Sequence, residues 1–486
     1  MLPVTVLSRC AHHQSAAALS RTLRSVFVSL RPLSSAESAI KSPATQTGRT
    51  ATRPPDKRRS IPDAFEIGGR RYDTDDWTNV SPKIVDLTNR RLLHERNSPL
   101  RLLKERIVAY FHQHHRKQRS SGRSPLFSVH DDLSPAVTLW QNFDSLLTPP
   151  DHVSRQRCAS YYVNATHVLR AHTSAHQHEL LAAGRDHFLV FGDCYRRDEI
   201  DRTHFPAFHQ VEGVHLFTAE ELFYPQITTS ATDKSENGTL KLFETDATVE
   251  RTVARQQWHT MDCANVLQFN LMHCLEELAR ALFGDDTEMR WTECYFPFTH
   301  PSWELEIKVN DDWVEMVGCG VVEQELLITA GAGHKVGWAF GIGLERLAMK
   351  LYSIPDIRLF WSKDSGFRNQ FNTDDPHADI VYKPVSRYPQ CTADVSFWLP
   401  DNQGKGKLEQ YSDNDLYDLV RAVGGDVVEQ VQLIDTFVHP KTARCSKCYR
   451  ITYRHMERVL TQAEANSVHE NIRNAISAEL GGEIRG

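Results

Sequence analysis

Residues 194–213, CYRRDEIDRTHFPAFHQVEG, concentrate side chains that could bind a charged ligand. The segment holds three arginines, two histidines, four carboxylates and a glutamine between two apolar runs. Because isolated charges are costly to bury, the cluster is either the solvated tip of a hairpin or a binding site. Arg196 offers a planar guanidinium for a phosphate or a carboxylate. Gln210 and Glu212 would share one face of a strand, where they could hold an ammonium group or form a solvated sheet face.

A second candidate for anion binding is GIGLER, residues 341–346. The stretch is similar to a dinucleotide fingerprint, but Arg346 replaces the third glycine and no parallel βαβ pattern precedes it. Arg346 would lie in the first turn of a helix, where its guanidinium and the helix N-terminus favour the same phosphate. On its own the pattern is weak, since a glycine turn before a helix is usually only a turn.

Further candidates lie outside these two segments. His172 and Ser174 would share a strand face, from which both could contact a ligand. The alternative for Ser174 is that it is a helix cap and has no contact with a ligand. Phe296 and Phe298 of YFPF would lie on one side of an extended segment, where core packing is the simpler interpretation. Glu315 lies in an apolar run and therefore needs a cation, a metal or a hydroxyl partner. Together these residues could form an anion clamp, an ammonium holder and an aromatic slot.

The elements that must position these residues alternate between strands and a few helices. The pattern predicts a helix over 97–111, a capping box at Ser174 and Gln177 that begins a helix ending at Gly184, and a helix over 262–284. The other predicted elements are a hairpin across the opening segment, a hairpin over 303–321, and a strand, glycine turn and helix over 337–352. Several antiparallel hairpins with occasional helices favour an α+β sheet domain.

The composition limits the class of protein and suggests a division into domains. The 486 residues are 40% apolar with a net charge of −6, so the chain can build more than one core and is not a non-specific nucleic-acid coat. No run long enough for a membrane span occurs. Residues 1–60 carry ten Lys or Arg and two acids, which is typical of a mitochondrial transit peptide, with a disordered tail as the alternative. The predicted parts are that leader (1–60), an N-terminal extension with a helix (61–124), a sheet domain (125–364) containing a polar surface excursion (225–256), a linker (365–383) and a small α+β domain of split βαβ type (384–486).

Residues 439–458, HPKTARCSKCYRITYRHMER, carry six Lys or Arg and one acid. Strand alternation would place Arg450 and Arg454 on one face, suited to an RNA backbone, with a solvated sheet edge as the alternative. Cys445 and Cys448 have the spacing of a metal site but lack a second pair of ligands.

In combination the motifs resemble those of the class II aminoacyl-tRNA synthetases. YRRD…HFPAFHQVEG is similar to the second signature motif of that family, an arginine-bearing hairpin, and GIGLERLAM is similar to the third. HTSAHQ, FHQVEG and YFPFTHPSWE resemble the phenylalanyl-tRNA synthetases in particular. From about Tyr388 onward, DVSFWLP and CYRITYRHMER resemble the ferredoxin-like anticodon-binding domain of the single-chain mitochondrial form. The resemblance covers roughly residues 80–486.

The resemblance implies a role for each candidate residue. Arg196 and Arg346 would be catalytic, contacting the α-phosphate and the γ-phosphate of ATP, and Glu315 would lie near ATP and its Mg²⁺. Thr203, His204 and Phe205 would lie on the motif loop over the triphosphate. The residues implied at the phenylalanine and nucleotide pockets are His172, Ser174, Ala175, His176, Gln177, Gln210, Val211, Glu212, Phe296, Phe298, Ala339 and Phe340.

The implied activity is ligation of phenylalanine to tRNA(Phe) in the mitochondrial matrix. ATP and phenylalanine would give phenylalanyl-adenylate and pyrophosphate, and the acyl group would then pass to the 3′-terminal ribose of the tRNA. The alternatives are another class II ligase and a non-catalytic RNA-binding relative. Two departures from the family pattern are visible. Asp198 stands where the second motif usually has glutamate, and the first motif, a dimer element, is barely visible around 148–152, which is consistent with a monomer.

Overall fold

In a computed structural model, the described residues are 61–119, 122–224, 240–246, 248–309, 311–384, 388–400, 411–456 and 458–485. The predicted leader, 1–60, and residues 225–239 of the predicted polar excursion lie outside them. No helix in this described part of the chain is long and apolar enough to cross a membrane.

The N-terminal extension begins with two short strands and two helices. Its elements are β1 (Ala64–Ile67), β2 (Arg70–Asp73), α1 (Pro82–Leu87), α2 (Pro99–His114), β3 (Arg116–Arg119) and β4 (Gly122–Pro125). The predicted helix is confirmed as α2, where the Ser98 hydroxyl accepts from the backbone N–H of Leu100 and Pro99 occupies the first turn. Leu103, Ile107 and Phe111 recur at helical spacing and are buried in the main core, so α2 is an integral part of that core.

The central part is built around a seven-stranded sheet. Its elements are β5 (Ser128–His130), β6 (Ala136–Thr138), α3 (Leu139–Asn142), β7 (His167–Leu169), α4 (Gln177–Ala182), β8 (His187–Tyr195), β9 (Ala207–Phe217), α5 (Ala219–Phe223), α6 (Met261–Phe283), β10 (Met289–Phe296), β11 (Thr299–Val309), β12 (Asp312–Val322), α7 (Gln324–Thr329), β13 (Val336–Gly343), α8 (Leu344–Leu351) and α9 (Ser365–Arg368). The strand order is β10-β11-β12-β13-β9-β8-β5, antiparallel except for the parallel pair β5 and β8. Both predicted hairpins are confirmed, as β8–β9 and β11–β12.

Local patterns predicted some boundaries of this domain and missed others. The helix predicted over 262–284 is confirmed as α6, and Gly284 follows it with a φ of 102°, a conformation that favours glycine. The predicted capping box at Ser174 and Gln177 is wrong. Residues 173–176 form a 3₁₀ turn, and α4 begins only at Gln177, without a side-chain cap. The described end of the polar excursion is not a loose loop, because the buried Gln256 donates its amide to the carbonyls of His300 and Val322.

The C-terminal part forms a second, four-stranded sheet with two helices on one face. Its elements are β14 (Cys391–Trp398), α10 (Asp413–Gly424), β15 (Val428–Val438), β16 (Cys445–Tyr453), α11 (Gln462–Glu479) and β17 (Glu483–Arg485). The strand order β15-β16-β14-β17 is antiparallel throughout and is that of a ferredoxin-like split βαβ fold, as predicted. Its separate core includes Phe397, Leu419, Tyr449 and Ile472.

Candidate active site

The candidate site lies on a face of the seven-stranded sheet where glycines replace side chains. Glu212 of β9 pairs with Gly341 of β13, which pairs in turn with Gly318 of β12, and Gln210 pairs with Gly343. A methyl group added at Gly341 or Gly343 would meet no atom within 4 Å, so the sheet borders open space here. The two glycines lie in the strand itself and leave room for a flat ligand beside Gln210 and Glu212.

Three buried polar groups beside this space lack a hydrogen-bond partner among the described residues. They are the Glu212 carboxylate, the Gln177 amide and Nδ1 of His172. Burial raises the pKa of Glu212 to about 8, although the nearby Ser174 hydroxyl offsets part of the shift. Burial and the charge of Arg196 lower the pKa of His172 to about 3, so its imidazole is neutral. Because unpartnered buried polar groups are costly, such a cluster is expected where a ligand supplies the missing hydrogen bonds.

An aromatic wall covers the neighbouring part of the same face. The rings of Phe296 and Phe298 stack with centroids 5.9 Å apart and planes inclined by 16°. A methyl group at Gly318 would lie 2.8 Å from the Phe296 ring, so that ring lies directly over the glycine. Phe298 is 6.0 Å from the His172 ring and packs against the cluster that contains Ala339. The arrangement suits a ligand with one aromatic ring and one ammonium group.

The two predicted catalytic arginines are held in different ways. Arg196 follows β8 and donates from Nε to the Ala171 carbonyl at 2.9 Å, while its guanidinium lies 5.0 Å from the centroid of the Phe208 ring. Within the described residues no carboxylate pairs with Arg196, so its charge is available to an anion. Arg346, in the first turn of α8, donates to Glu315 at 2.6 Å. Both partners of this ion pair are about half exposed, so the pair is weak and a phosphate can replace Glu315.

Three carboxylates lie on the hairpin beside Arg346. Glu306 pairs across the hairpin with Glu315. Glu304 lies close enough for the negative charges of both carboxylates to affect its pKa. Burial and then these two negative charges raise the pKa of Glu304, while Arg346 opposes the shift. Carboxylate oxygens are the ligands that Mg²⁺ prefers, so this part of the site fits a magnesium ion. Glu304 was not predicted, although strand alternation in WELE places it on the same face as Glu306.

Asp201 organises the loop between β8 and β9. Its carboxylate accepts from the backbone N–H groups of Thr203 and His204 at 2.6 and 2.8 Å and from Nδ1 of His204 at 2.7 Å. That side-chain hydrogen bond raises the pKa of His204, which favours an imidazolium able to meet a triphosphate. Phe205 instead stacks on Trp361 with centroids 5.4 Å apart, so it anchors the loop. Asp201 was missed because nothing in its local pattern distinguishes it from its acidic neighbours.

Two other features belong to this loop. Glu199, Asp201 and His204 are the one group of three possible metal ligands found in the described part of the chain, and the bond between Asp201 and His204 accounts for their proximity. Arg197 turns away from the site and donates to Asp415 at 2.8 Å and to Asp418 at 2.6 Å, both in α10. The C-terminal part therefore holds the outer half of the loop.

Some residues predicted to contact a ligand lie behind the site. Phe340 projects from the opposite face of β13 and stacks on Phe111 of α2 with centroids 5.7 Å apart. Val211 is fully buried in the same core. Ala175 packs into a small separate cluster with Phe143. Strand alternation is the physical reason for the first two positions, because their neighbours in sequence face the ligand space. Their side chains support the walls of the site and do not line it.

A buried arginine that the sequence did not reveal supports the same wall. The Arg170 guanidinium donates to the Asp193 carboxylate at 2.6 Å and to the Asp193 carbonyl at 2.7 Å. It also lies 2.9 Å from Nε2 of His176, whose Nδ1 is 2.6 Å from Glu179. His176 is therefore engaged by protein groups and fixes the turn that carries Ser174. Gly192 was the one local signal, because a larger residue there would overlap Arg170.

The two arginines predicted to contact RNA are both paired with carboxylates. Arg450 makes a two-pronged contact with Asp394, at 2.9 and 2.8 Å. Arg454 lies 3.1 Å from Glu429, a residue that is 1% exposed and also receives Arg202. The Arg450–Asp394 pair is about half exposed and is therefore weak, and Glu429 is shared between Arg454 and Arg202, so both arginines keep positive charge and stay predicted RNA contacts.

The cysteine pair of the C-terminal part does not converge on one point. Cys445 and Cys448 both lie on β16, three residues apart, so their side chains leave opposite faces of the sheet. The geometry does not favour chelation by this pair.

Comparisons with known proteins agree with these two parts. Residues 85–222 and 241–371 match the family described as the tRNA synthetases class II core domain (F), and residues 386–485 match the ferredoxin-fold anticodon binding domain. The chain is 50% identical over 421 residues to a mitochondrial phenylalanine–tRNA ligase of Mus musculus, covering 87% of this chain and 89% of that protein. It is 48% identical over 435 residues to a probable mitochondrial phenylalanine–tRNA ligase of Drosophila melanogaster, covering 89% and 94%. Identity to the mitochondrial phenylalanine–tRNA ligase of Saccharomyces cerevisiae is 34% over 458 residues, covering 86% and 95%.

Proposed function

The chain belongs to the class II aminoacyl-tRNA synthetases, in the family of the mitochondrial phenylalanine–tRNA ligases, and on that premise we propose how its site ligates phenylalanine to tRNA(Phe) with ATP. The observation that carries the proposal is the buried Glu212 carboxylate, which lacks a partner among the described residues and lies beside an aromatic pair. A free phenylalanine supplies both missing features, an ammonium group for the carboxylate and a ring for the aromatic wall.

Phenylalanine binds with its ammonium group at Glu212 and its ring at the aromatic wall. Gln210 and Gln177 complete the hydrogen bonds at the polar end, and neutral His172 and Ser174 border it. Because the pKa of Glu212 is raised to about 8 in the free protein, most of the population carries a proton there at neutral pH. Binding of the ammonium group favours the ionised carboxylate, so that proton is released on binding.

Activation of the amino acid needs alignment and charge stabilisation more than a protein nucleophile. The carboxylate of phenylalanine attacks the α-phosphorus of ATP in line with the leaving pyrophosphate. Arg196, free of a carboxylate partner among the described residues, neutralises charge that develops at the α-phosphate. Arg346 exchanges Glu315 for the γ-phosphate, and Thr203 and His204 meet the triphosphate from the loop. The acyl group then passes to the 3′-terminal ribose of the tRNA.

Magnesium is part of the proposal. Glu315 and Glu304 would hold the ion, since Glu315 is free for it once Arg346 binds phosphate. When bound, Mg²⁺ would supply positive charge that lowers the repulsion around the leaving pyrophosphate.

The division and location of the chain are also proposed. We assign 1–60 to a targeting leader, 61–124 to an extension, 125–364 to the catalytic domain, 365–383 to a linker and 384–486 to the anticodon-binding domain. The relatives named above are mitochondrial, and we place this protein in the mitochondrion, within the matrix, as a monomer.

The test is ATP–pyrophosphate exchange by the full chain with each amino acid in turn. Exchange with phenylalanine is expected, with loss in Arg196→Ala. The matched control is Arg450→Ala, which removes an arginine far from the site and should leave exchange unchanged. Exchange with another amino acid would contradict the phenylalanine pocket. No exchange from folded protein would leave the non-catalytic RNA-binding relative as the better account, an alternative that the arginines present in the site do not favour.

A further inference from the structure

We propose that the C-terminal domain positions the catalytic-site loop that contacts ATP, a role separate from any contact with RNA. The inference rests on the proposed function, in which this loop, residues 196–206 between β8 and β9, brings Thr203 and His204 to the triphosphate. Ile200 and Arg202 of the loop are held by the C-terminal domain, and through them the domain sets the geometry for activation of the amino acid.

Ile200 anchors the loop in the core of the C-terminal domain. It is the one apolar residue in RRDEIDR, residues 196–202, and it is 5% exposed. Its side chain lies in the buried cluster that also contains Val428 and Val431 of β15. The Ile200 carbonyl accepts from the backbone N–H of Val431 at 2.9 Å. Because water would otherwise surround this apolar side chain, its burial favours a loop that stays in contact with β15.

Polar contacts from α10 hold the residues that precede the isoleucine. Arg421 donates to the carbonyls of Asp198 and Glu199. The Asn414 amide donates to the Arg197 carbonyl at 3.2 Å, in addition to the two ion pairs that Arg197 makes with the same helix. Donors from the C-terminal domain therefore meet four successive carbonyls of the loop, which fixes the path of its main chain as well as its side chains.

Arg202 is fixed between the two domains. Its Nε donates to the Glu429 carboxylate at 2.7 Å, and its carbonyl accepts from the backbone N–H of Ile357 in the catalytic domain at 2.8 Å. Glu429 is 1% exposed, also accepts from the Gln390 amide at 2.8 Å and lies 3.1 Å from Arg454. Because a buried carboxylate is costly without its partners, the geometry that keeps Arg202 on Glu429 is strongly favoured.

Asp201 lies between these two anchored residues and orients the side chains that meet ATP. Its carboxylate accepts from the backbone N–H groups of Thr203 and His204 and from Nδ1 of His204. Since Ile200 and Arg202 are both held by the C-terminal domain, the main chain at Asp201 has little freedom to move. The affinity of a ligand falls with the fraction of the protein that has the binding geometry, so a loosened loop should bind ATP more weakly.

The first test is phenylalanine-dependent ATP–pyrophosphate exchange by the full chain without tRNA, so that RNA binding cannot contribute. Ile200→Ala and Arg421→Ala should each raise KM for ATP about tenfold or more, because fewer molecules hold the loop in its binding geometry. KM for phenylalanine should stay within about twofold of wild type, since its pocket lies on the sheet and not on the loop. A general loss of stability would lower the amount of active enzyme, and hence kcat, and leave both KM values unchanged.

Matched variants separate contacts to the loop from other contacts of the same helix. Ile200→Val keeps a branched apolar side chain and Arg421→Lys keeps a cationic donor, so both should recover most of the affinity for ATP. Lys83→Ala removes a hydrogen bond from α1 to the Ala422 carbonyl of α10, which does not involve the loop, and KM for ATP should not change.

A second measurement needs no turnover. Binding free energies are coupled reciprocally, so ATP should in turn stabilise the contact between the loop and β15. Amide hydrogen exchange at Val431, whose N–H is bonded to the Ile200 carbonyl, should therefore slow when ATP is added to wild type or to Lys83→Ala. In Arg421→Ala this effect of ATP should be lost.

An unchanged KM for ATP in folded Ile200→Ala and Arg421→Ala would overturn the inference. Equal rises in KM for ATP and phenylalanine would do the same, as would hydrogen exchange at Val431 that does not respond to ATP. Should Ile200→Ala fail to fold, Arg421→Ala carries the comparison because it changes no residue of the core. If wild type shows no pyrophosphate exchange with any amino acid, the proposed function fails by itself, and the response of Val431 to ATP still tests the positioning of the loop.

Discussion

Replacement of Glu212 by glutamine should weaken phenylalanine binding while leaving the fold intact. The glutamine amide has the size of the carboxylate but cannot form a charged pair with the ammonium group. Loss of one partner from a buried, hydrogen-bonded charge pair costs about 2–5 kcal/mol, which corresponds to roughly a 30-fold to several-thousand-fold rise in KM for phenylalanine. KM for ATP should change little, because the triphosphate is held by Arg196 and Arg346.

Although phenylalanine binding weakens in Glu212→Gln, the folded state of this variant should be more stable than that of wild type above neutral pH. The folded pKa of Glu212 is raised to about 8 and its ordinary value is near 4.5, so between these pH values the folded state holds a proton that the unfolded state has lost. Its contribution to stability is present below pH 4.5 and is lost as pH rises through 8. Glutamine never ionises, so Glu212→Gln should be more stable than wild type at pH 8, by an amount on the order of a few kcal/mol.

The assays are exchange kinetics with phenylalanine and ATP varied separately, and thermal unfolding from pH 5 to 8.5. Glu345→Gln is the matched control, because Glu345 is also 2% exposed but accepts from both the backbone N–H and Nδ1 of His209 at 2.7 Å. That variant should lose stability, since it breaks a satisfied buried pair. A KM for phenylalanine within threefold of wild type in Glu212→Gln, with lowered stability at pH 8, would refute the reasoning.

The remaining predictions concern the pocket and its support. Affinity of wild type for phenylalanine should rise with pH as Glu212 ionises around pH 8, and a flat profile from pH 6.5 to 8.5 in direct binding measurements would count against that carboxylate as the ammonium ligand. Gly318→Ala should raise KM for phenylalanine with little change for ATP, because the added methyl group would lie 2.8 Å from the Phe296 ring; equal effects on both substrates would contradict this placement. Arg170→Met should lower the unfolding free energy by about 3–5 kcal/mol by leaving the Asp193 carboxylate with the Tyr195 hydroxyl but without its cationic partner, and denaturant titration that shows less than about 1 kcal/mol would argue against its supporting role. An apolar pocket excludes an added hydroxyl poorly, so tyrosine should be activated with a kcat/KM about a hundredfold below that of phenylalanine. A measured ratio above about ten-thousandfold would show that a polar group in the pocket rejects the tyrosine hydroxyl.

The sequence was sufficient where the signal was local. Helical spacing after a cap at Asn97 or Ser98 predicted α2, and a terminal glycine predicted the end of α6, because caps and glycine conformations depend on adjacent residues. The two hairpins were also predicted, because strand patterns and the turn between them depend on residues adjacent in sequence. The arginines at 196 and 346 were found because charged residues beside apolar strands need a ligand or a partner.

The tertiary structure decided which face of a strand is functional. Ala339 and Phe340 are both apolar and both buried, so this part of β13 has no alternation that could distinguish the pocket from the core. The capping pattern at Ser174 also gave a wrong helix start, because Ser174 lies in the turn beside Glu212 and not at the end of α4.

Ion pairs between residues far apart in sequence were the other feature that only the tertiary structure could show. Arg450 meets Asp394, 56 residues away, and a basic run that looked available to RNA is therefore partly neutral. Arg170 meets Asp193 in the same way. An ion pair needs only proximity in space, which the chain achieves by strand pairing, whereas caps, turns and alternation are fixed by neighbouring residues. The sequence thus determined the elements and the chemical groups, and the packing of the sheets determined which groups remain free for a ligand.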